Sequence, residues 1–216
     1  MPTERFYHLP EGKKQMIREA AIKEFSRVPM EKVSINQIVK SAEISRGSFY
    51  TYFKDKEDVL EYIFEDFVVQ IQAFCLEALK RENGRFWELP GRLLEYILEV
   101  CDRNKMITLA QKAIGHQAVM RMLEDKAGIC WEIEETKDKW MKEMYRITDC
   151  SELRVESCED FQILFSICVS ILVATIGEIY RTGLAPAVAR QLFEKRMKVI
   201  RYGASRQPDS HGSADV

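Results

Sequence analysis

Glycine and proline, the residues that most often interrupt helices, are scarce in this chain, with 10 glycines and 6 prolines among 216 residues. This scarcity disfavours a turn-rich all-β fold and favours helices. The sequence also contains no glycine-rich phosphate loop, no GxSxG nucleophile elbow and no HExxH helix. We therefore expect that the protein is not an enzyme, while a catalytic site assembled from dispersed residues stays open as an alternative.

Cysteine and histidine are too dispersed along the sequence to indicate a metal site. No two of the six cysteines have CxxC spacing, and His8, His116 and His211 pair with none of them at zinc-binding spacing. We expect neither a metal nor a cofactor. The N-terminal residues lack the pattern of a signal peptide, so we expect a cytoplasmic protein with reduced thiols. A redox switch that uses Cys150 and Cys158 is the open alternative.

Charge is balanced overall but unevenly distributed along the chain. The 32 Lys+Arg and 34 Asp+Glu residues give a net charge of −2. Residues 1–56 hold 11 of the basic and 7 of the acidic residues, a net charge of +4, which leaves 21 against 27, a net charge of −6, for the remainder. Such asymmetry is typical of a basic DNA-binding head, here residues 1–56, on an acidic body, here the remainder.

Residues 34–60 contain two short helical patterns separated by a tight turn. Ser34 is a suitable N-cap for the first helix, and Ser45 for a second that ends near Tyr52. Asp55 opens a third and longer helix. Two short helices joined by a turn of a few residues form the helix-turn-helix pattern, whose second helix can enter a DNA major groove.

The second short helix carries side chains suited to nucleic acid. Phe49 and Phe53 share one face and can hold the helix against its neighbours, while Gly47 lets the backbone approach DNA closely. The other positions offer hydroxyl and basic groups to phosphates and base edges. The residues assigned to DNA on this basis are Asn36, Arg46, Gly47, Ser48, Tyr50, Thr51, Tyr52, Lys54 and Lys56. A small three-helix core with an ordinary polar surface is the competing interpretation.

A specific set of residues links this stretch to a known family. The set is Ala42, Ile44-Ser45, Gly47-Ser48-Phe49-Tyr50, Tyr52-Phe53, Lys56-Glu57 and Leu60, with Ile17, Ala20, Ala21 and Phe25 upstream. In these residues the chain resembles the tetracycline-repressor (TetR) family of bacterial regulators over about residues 11–62. It departs from the family at Glu43 and at Val28-Pro29, where glycine is usual or frequent. Glu43 tolerates a left-handed backbone poorly, at a cost of roughly 1 kcal/mol.

The resemblance implies a fold, a set of partners and further contacts. The fold is all-α, with an N-terminal three-helix DNA-binding domain containing the helix-turn-helix (residues 1–56), a helical ligand-binding and dimerisation domain (57–203) and a disordered tail (204–216). The expected partners are a palindromic double-stranded DNA operator, a small-molecule effector that releases it and a second copy of the chain. The resemblance adds Ser34 to the DNA contacts. Ser45, the N-cap of the second short helix, is the last residue of the predicted DNA-binding set.

Outside the helix-turn-helix, the pattern predicts a loose arm over residues 1–9, whose Arg5, together with Lys13 and Lys14, can touch phosphate. Helices are predicted over residues 10–27 and 55–81, with Asn83-Gly84 ending the second. The second helix joins the head to the body, so we expect it to transmit movement between them.

Large and adaptable side chains are concentrated in residues 86–145, where Pro90-Gly91, Gly115 and Gly128 divide the helical pattern. Methionine and aromatic side chains fill cores and also line promiscuous pockets. Core packing is the more common role of each such residue, but the family resemblance requires a pocket among these helices. The predicted pocket residues are Phe74, Trp87, Met106, His116, Met120, Trp131 and Tyr145.

Residues 161–179 form the most apolar segment of the chain. Its core of only about 16 residues, which carries Gln162, Ser166, Ser170 and Thr175, falls short of the roughly 20 that span a bilayer, so we expect no membrane. We expect instead a helix packed on its own core on one side and on a partner subunit on the other, with a second helix over residues 187–202. The predicted dimer-interface residues are Phe161, Leu164, Phe165, Cys168, Leu172, Thr175, Ile179, Leu192 and Phe193.

Apart from the enzyme alternative, the sequence is compatible with two functions. The first is a ligand-responsive dimeric transcriptional regulator, a repressor by expectation. The alternative is a helical interaction or scaffold protein whose head binds protein and does not read DNA. Salt dependence separates them, because several phosphate contacts make affinity fall steeply with salt whereas an apolar protein interface changes little.

Overall fold

The computed structural model of the chain describes residues 2–104 and 135–203, and helices are the only regular elements in these two ranges. The expected all-α class is confirmed. The described helices are α1 (Glu4–Tyr7), α2 (Glu11–Arg27), α3 (Ile35–Ser41), α4 (Arg46–Tyr52), α5 (Lys56–Arg81), α6 (Leu89–Asn104), α7 (Glu135–Ile147), α8 (Cys158–Thr182) and α9 (Pro186–Tyr202). Single 3₁₀ turns lie at Met30–Lys32, Phe86–Glu88 and Cys150–Glu152.

The chain forms two compact units, Met1–Ser166 and Ile167–Val216, and the boundary between them falls inside α8. This division differs from the one suggested by the sequence, which stays a prediction. The predicted disordered tail, residues 204–216, lies outside the described residues.

The core of the head is built from the apolar faces of α2, α3, α4 and the start of α5. Ile17, Ile38, Phe49 and Phe53 are fully buried there, as the helical spacing of these residues predicts. Arg18 of α2 adds a polar contact to α5. Its Nη2 donates to the Tyr62 hydroxyl at 3.0 Å and to Asp66 Oδ1 at 2.8 Å. The head is therefore packed directly on the helix that continues away from it.

The N-terminal residues do not form the loose arm that the sequence suggested. They form α1, and the side chain of Phe6 is fully buried. Its ring lies 4.8 Å from that of Phe53 and 4.7 Å from that of Tyr62, measured between centroids. The sequence did not indicate α1, because so short a segment shows no helical period.

Helix α5 ends where the sequence predicted, at Asn83-Gly84. Both residues have positive φ, 53° and 79°, and Gly84 N–H donates to Leu79 O at 2.8 Å, which satisfies a terminal carbonyl. A Cβ on Gly84 would lie 2.6 Å from both Ile147 O and Asp149 N. The end of α5 therefore packs backbone to backbone against the last residue of α7 and the residues that follow it.

Helix α8 is apolar on nearly every side, and one stripe along it is buried within the chain. Seven of the nine residues predicted for a dimer interface are buried: Phe161, Phe165, Cys168, Leu172, Thr175 and Ile179 on α8 and Phe193 on α9. Leu164 and Leu192 are half-buried. The exposed apolar residues of α8 are others, Ile163, Ile167 and Val173, on the opposite face. The accessible apolar surface of α8 is therefore this opposite face and not the buried stripe.

Residues Cys158–Ile179 of α8 meet the length and composition of a membrane span. The helix is longer than the apolar core that the sequence suggested, because its polar first turn and the serines within it do not interrupt the helix. The same properties occur in core helices of proteins that do not cross a membrane. One side of α8, the buried stripe, packs within the chain as the side of a core helix does.

Candidate nucleic-acid interface

The start of α3 is fixed by a carboxylate from another helix. Ser34 occupies the predicted N-cap position, but its side chain makes no capping hydrogen bond. Instead its backbone N–H donates to Glu24 Oε1 at 3.1 Å, and Arg27 donates to both oxygens of the same carboxylate at 2.8 and 2.9 Å. The bonds from Arg27 hold the pKa of Glu24 below its usual value. Sequence reasoning missed Glu24, although a carboxylate between the buried Ala21 and Phe25 was a visible signal.

The turn between α3 and α4 contains the strained position that the sequence anticipated. Glu43 has φ 51°, in the left-handed region. The Lys13 ammonium donates to the carbonyl oxygens of Glu43 and Ala42 at 3.1 and 3.3 Å. Lys13, one of the residues expected at phosphate, thus stabilises a turn that lacks the usual glycine.

Helix α4 begins with a regular N-cap and is held by two buried rings. The hydroxyl of Ser45 accepts a hydrogen bond from Ser48 N–H at 2.9 Å and lies 2.8 Å from the Ser48 hydroxyl. Phe49 and Phe53 are fully buried, as predicted. The Thr51 hydroxyl donates to Gly47 O at 3.0 Å. These hydroxyls keep acceptor capacity for a further bond, since each oxygen has two lone pairs.

Arg46 lies at the centre of an exposed polar cluster on α3 and α4. Its Nη1 donates to Asn36 Oδ1 at 2.7 Å, and its Nη2 donates to the Tyr50 hydroxyl at 3.3 Å. The guanidinium carbon lies 5.7 Å from the centroid of the Tyr50 ring, within the range of a cation–π contact. Both contacts restrict the long arginine side chain before any ligand binds. Asn36, which the sequence assigned to DNA, thus holds Arg46 in this structure.

The remaining predicted residues lie in different surroundings. Gly47 is exposed, and a Cβ at this position would meet only Ser45 Oγ at 3.7 Å, an ordinary contact. Tyr52 is half-buried at the end of α4, and Lys54 is exposed immediately after it. The Lys56 ammonium donates to Met30 O at 2.7 Å and to Glu31 O at 3.4 Å. An ammonium has three donors, so Lys56 can still bind one phosphate oxygen.

The predicted pocket is only partly within the described residues. Phe74 is stacked on Tyr96 with a centroid separation of 4.1 Å. Trp87 packs edge-on against Phe86, and Tyr145 lies 5.7 Å from Phe161. The three predicted pocket residues among them, Phe74, Trp87 and Tyr145, are half-buried. The other four, Met106, His116, Met120 and Trp131, lie outside the described residues, so the pocket stays a prediction.

The thiols of the redox alternative, Cys150 and Cys158, are both half-buried. Burial, with a smaller contribution from Asp149, raises the pKa of Cys150. Burial raises the pKa of Cys75 and of Cys168 to about 12. These shifts favour the protonated thiol, which is the less reactive form. They argue against thiol chemistry at Cys150, Cys75 and Cys168.

Comparison with known proteins gives family models for both parts of the chain. Residues 17–63 match the model described as bacterial regulatory proteins, tetR family. Residues 98–204 match the model described as tetracyclin repressor-like, C-terminal domain. Together the two models cover the helix-turn-helix and most of the remaining chain.

Curated relatives and solved structures agree with these models. The chain is 29% identical to an uncharacterised HTH-type transcriptional regulator, YhgD, of Bacillus subtilis. The 115 aligned residues cover 52% of this chain and 60% of that protein. It is 32% identical to an HTH-type transcriptional regulator of Staphylococcus aureus, and the 95 aligned residues cover 44% of this chain and 50% of that protein. The matches thus span about half the length of these relatives. A crystal structure of a putative TetR-family regulator from Syntrophomonas wolfei has a TM-score of 0.67 at 19% identity, covers 90% of this chain and 97% of that one, and shows the fold.

Proposed function

The chain belongs to the TetR family of bacterial regulatory proteins, and on this premise we propose that it is a ligand-responsive, dimeric DNA-binding repressor in the cytoplasm. The observation that carries the proposal is the geometry of α4. Two buried rings, Phe49 and Phe53, hold one face of the helix. Its exposed face presents Arg46, already oriented by Asn36 and Tyr50, in a part of the chain with net positive charge.

In this proposal α4 is the recognition helix and lies in the major groove. Arg46 reads a guanine edge with the guanidinium hydrogens that its two intramolecular bonds leave available. Ser48, Tyr50 and Thr51 offer hydroxyls to phosphates, and Lys54 provides a charge beside them. Ser34, Ser45, Tyr52 and Lys56 keep the role at DNA that the sequence assigned to them. Two copies of α4, roughly 34–36 Å apart, would fit successive major grooves of a palindromic operator.

The exposed face of α8 is the candidate dimer interface. Ile167 and Val173 are exposed there, beside the small residues Ser170, Ala174 and Gly177, which are also exposed. Small residues let two helices approach closely, and apolar side chains supply the surface that association buries. This face replaces the buried stripe proposed from the sequence. Val188 and Val199 on α9 are exposed apolar residues as well.

The effector is proposed to act through α5. This 26-residue helix is joined to the head through Arg18 and to α7 through Trp140, whose Nε1 donates to Gln72 O at 3.1 Å. The predicted pocket residues Phe74, Trp87 and Tyr145 also lie on or near these helices. An effector that prefers a different position of α5 would shift the population of head spacings and release DNA. We retain the division into a head (1–56), a body (57–203) and a tail (204–216) as part of the proposal.

Fluorescence anisotropy tests the proposal most directly. Purified protein is titrated against labelled DNA from upstream of its own gene, against a scrambled duplex, and against a duplex obtained by selection from random sequences. We expect tight binding to the upstream or the selected duplex that weakens steeply between low and physiological salt. Equal binding to all three, with little salt dependence, would reject the regulator and favour a head that binds protein.

A further inference from the structure

The last turn of α4 is completed by a residue from the start of the chain. A helix leaves its final carbonyl groups without partners inside the helix. For α4 two of these groups accept hydrogen bonds from Thr3: its Oγ1 donates to Thr51 O at 2.8 Å, and its N–H donates to Tyr52 O at 2.9 Å. One residue thus stabilises the C-terminal end of α4 with two bonds.

The hydroxyl of Thr3 makes this contact in place of a more usual one. Thr3 is the N-cap residue of α1, where a threonine hydroxyl commonly accepts a bond from an N–H group of its own helix. No such side-chain bond is made to α1. The hydroxyl contributes its hydrogen bond to α4, 48 residues further along the chain.

Phe6 adds an apolar contact at the same end of α4. Its fully buried ring lies 6.2 Å from that of Tyr52, the last residue of α4, and 4.8 Å from that of Phe53, the C-cap. It also lies 4.7 Å from the ring of Tyr62 on α5. The short helix α1 therefore packs between the end of α4 and the first turns of α5.

We propose that Thr3 and Phe6 are positioning residues that set the angle at which α4 enters DNA. The inference rests on the proposed function of α4 as the recognition helix. A seven-residue helix has little stability of its own and takes its direction from what holds its ends. The turn after α3 holds the N-terminal end, and α1 holds the C-terminal end. Without α1 the C-terminal end is free to tilt, which misaligns Arg46 and Tyr50 with base edges and phosphates, because hydrogen bonds depend steeply on distance and angle.

The first test measures α4 without DNA. Thr3→Val removes the hydroxyl at constant shape, and Thr3→Ser retains it. Amide hydrogen exchange in residues 49–53 should be about three- to tenfold faster in Thr3→Val, the size allowed by one net hydrogen bond, and unchanged in Thr3→Ser. Exchange in α2 should not change in either variant. Equal exchange rates in residues 49–53 for both variants would overturn the proposal.

The second test measures DNA recognition with the selected duplex. Thr3→Val should lower affinity for this duplex by about three- to tenfold, while affinity for the scrambled duplex and the salt dependence stay as in the wild type, because Thr3 neutralises no phosphate. Thr3→Ser should restore the affinity. An equal loss on both duplexes would show that Thr3 does not act through the aim of α4 and would overturn the proposal.

Phe6 provides a second, independent variant. Phe6→Leu keeps an apolar residue in place and removes the ring contacts, so it should fold and show the same pattern as Thr3→Val. Wild-type specificity in Phe6→Leu would remove Phe6 from the proposal. If the wild-type protein does not distinguish the selected from the scrambled duplex, the proposed function fails, whereas hydrogen exchange still decides whether Thr3 holds α4.

Discussion

The head and helix α8 are held in place by different kinds of contact. In the head, the seven-residue helices α3 and α4 are fixed at their ends by polar groups from elsewhere: Glu24 at Ser34, Lys13 at the turn, and Thr3 at the end of α4. Helix α8 has 25 residues and is held along one stripe of apolar side chains. Polar contacts at its later turns come from Arg196, which donates to Thr175 and Glu178.

The difference shows what each kind of contact can specify. A hydrogen bond joins two particular atoms at a fixed distance, so a few such bonds determine the direction of a helix too short to be stable alone. Burial of apolar surface has no direction, so it selects a face of a helix without selecting a partner. Both faces of α8 are apolar, but only one of them is buried within the chain. The same substitution should therefore have different effects on the two faces.

The largest effect is expected from a charge placed on the two faces of α8. Leu172 is buried, so Leu172→Glu should abolish stable folding, because an unpaired buried charge costs several kcal/mol. Ile167 is exposed, so Ile167→Glu should leave the fold intact and convert the proposed dimer into a monomer. Circular dichroism reports the first change, and sedimentation velocity the second. A folded Leu172→Glu monomer together with a dimeric Ile167→Glu would return the interface to the buried stripe.

The next effect is expected at the centre of the head. Arg46→Ala should lose about 1–3 kcal/mol of binding to the selected operator and relax the preference at one base position. Arg46→Lys is the matched control, since it keeps the charge but cannot form the bidentate contact. Anisotropy with operator variants measures both. If the lysine variant retains full base preference, Arg46 acts as a charge and not as a reader.

A smaller effect is expected at the polar contact that begins α3. Glu24→Gln should lower the free energy of unfolding by roughly 1–2 kcal/mol, since it weakens bonds from Ser34 N–H and Arg27. The lowered pKa of Glu24 means that its contribution is present above the usual carboxyl value of 4.5 and is lost as pH falls through the lower pKa of the folded state. The stability difference between wild type and Glu24→Gln should therefore shrink below pH 4.5.

The exposed Glu19, also on α2, provides the control for this comparison. Glu19→Gln should change stability little at any pH. Urea denaturation at a series of pH values measures both variants. Equal pH profiles for Glu24→Gln and Glu19→Gln would show that the carboxylate at Ser34 contributes nothing specific.

The smallest effect on stability is expected at Gly47. Its surroundings accept a Cβ without a clash, so Gly47→Ala should leave the protein as stable or raise its stability by up to about 1 kcal/mol. The same methyl group should weaken DNA binding, if the backbone of α4 approaches the duplex. Thermal unfolding and anisotropy give the two values. Full operator affinity in Gly47→Ala would place this backbone away from DNA.

Contacts within a few residues were predictable, and contacts across the chain were not. The sequence identified Ser45 as the N-cap of α4 because its partner Ser48 is three residues away. It gave no sign of the bonds from Lys13 to Glu43 or from Lys56 to Met30, which join residues 30 and 26 positions apart. Lys13 and Lys56 were assigned to phosphate because a lysine has the same appearance in a sequence whether it binds a carbonyl or a nucleic acid.

By itself the sequence determined the long helices, the helix-turn-helix and the family, because helical periodicity, capping residues and motif spacing are local properties. Tertiary structure alone decided that the N-terminal residues hold α4, that Asn36 orients Arg46, and which face of α8 is left exposed. These features depend on which distant groups meet after folding. Apolar residues on every side of a helix, or a polar group with several suitable partners, leave that choice open until the chain is packed.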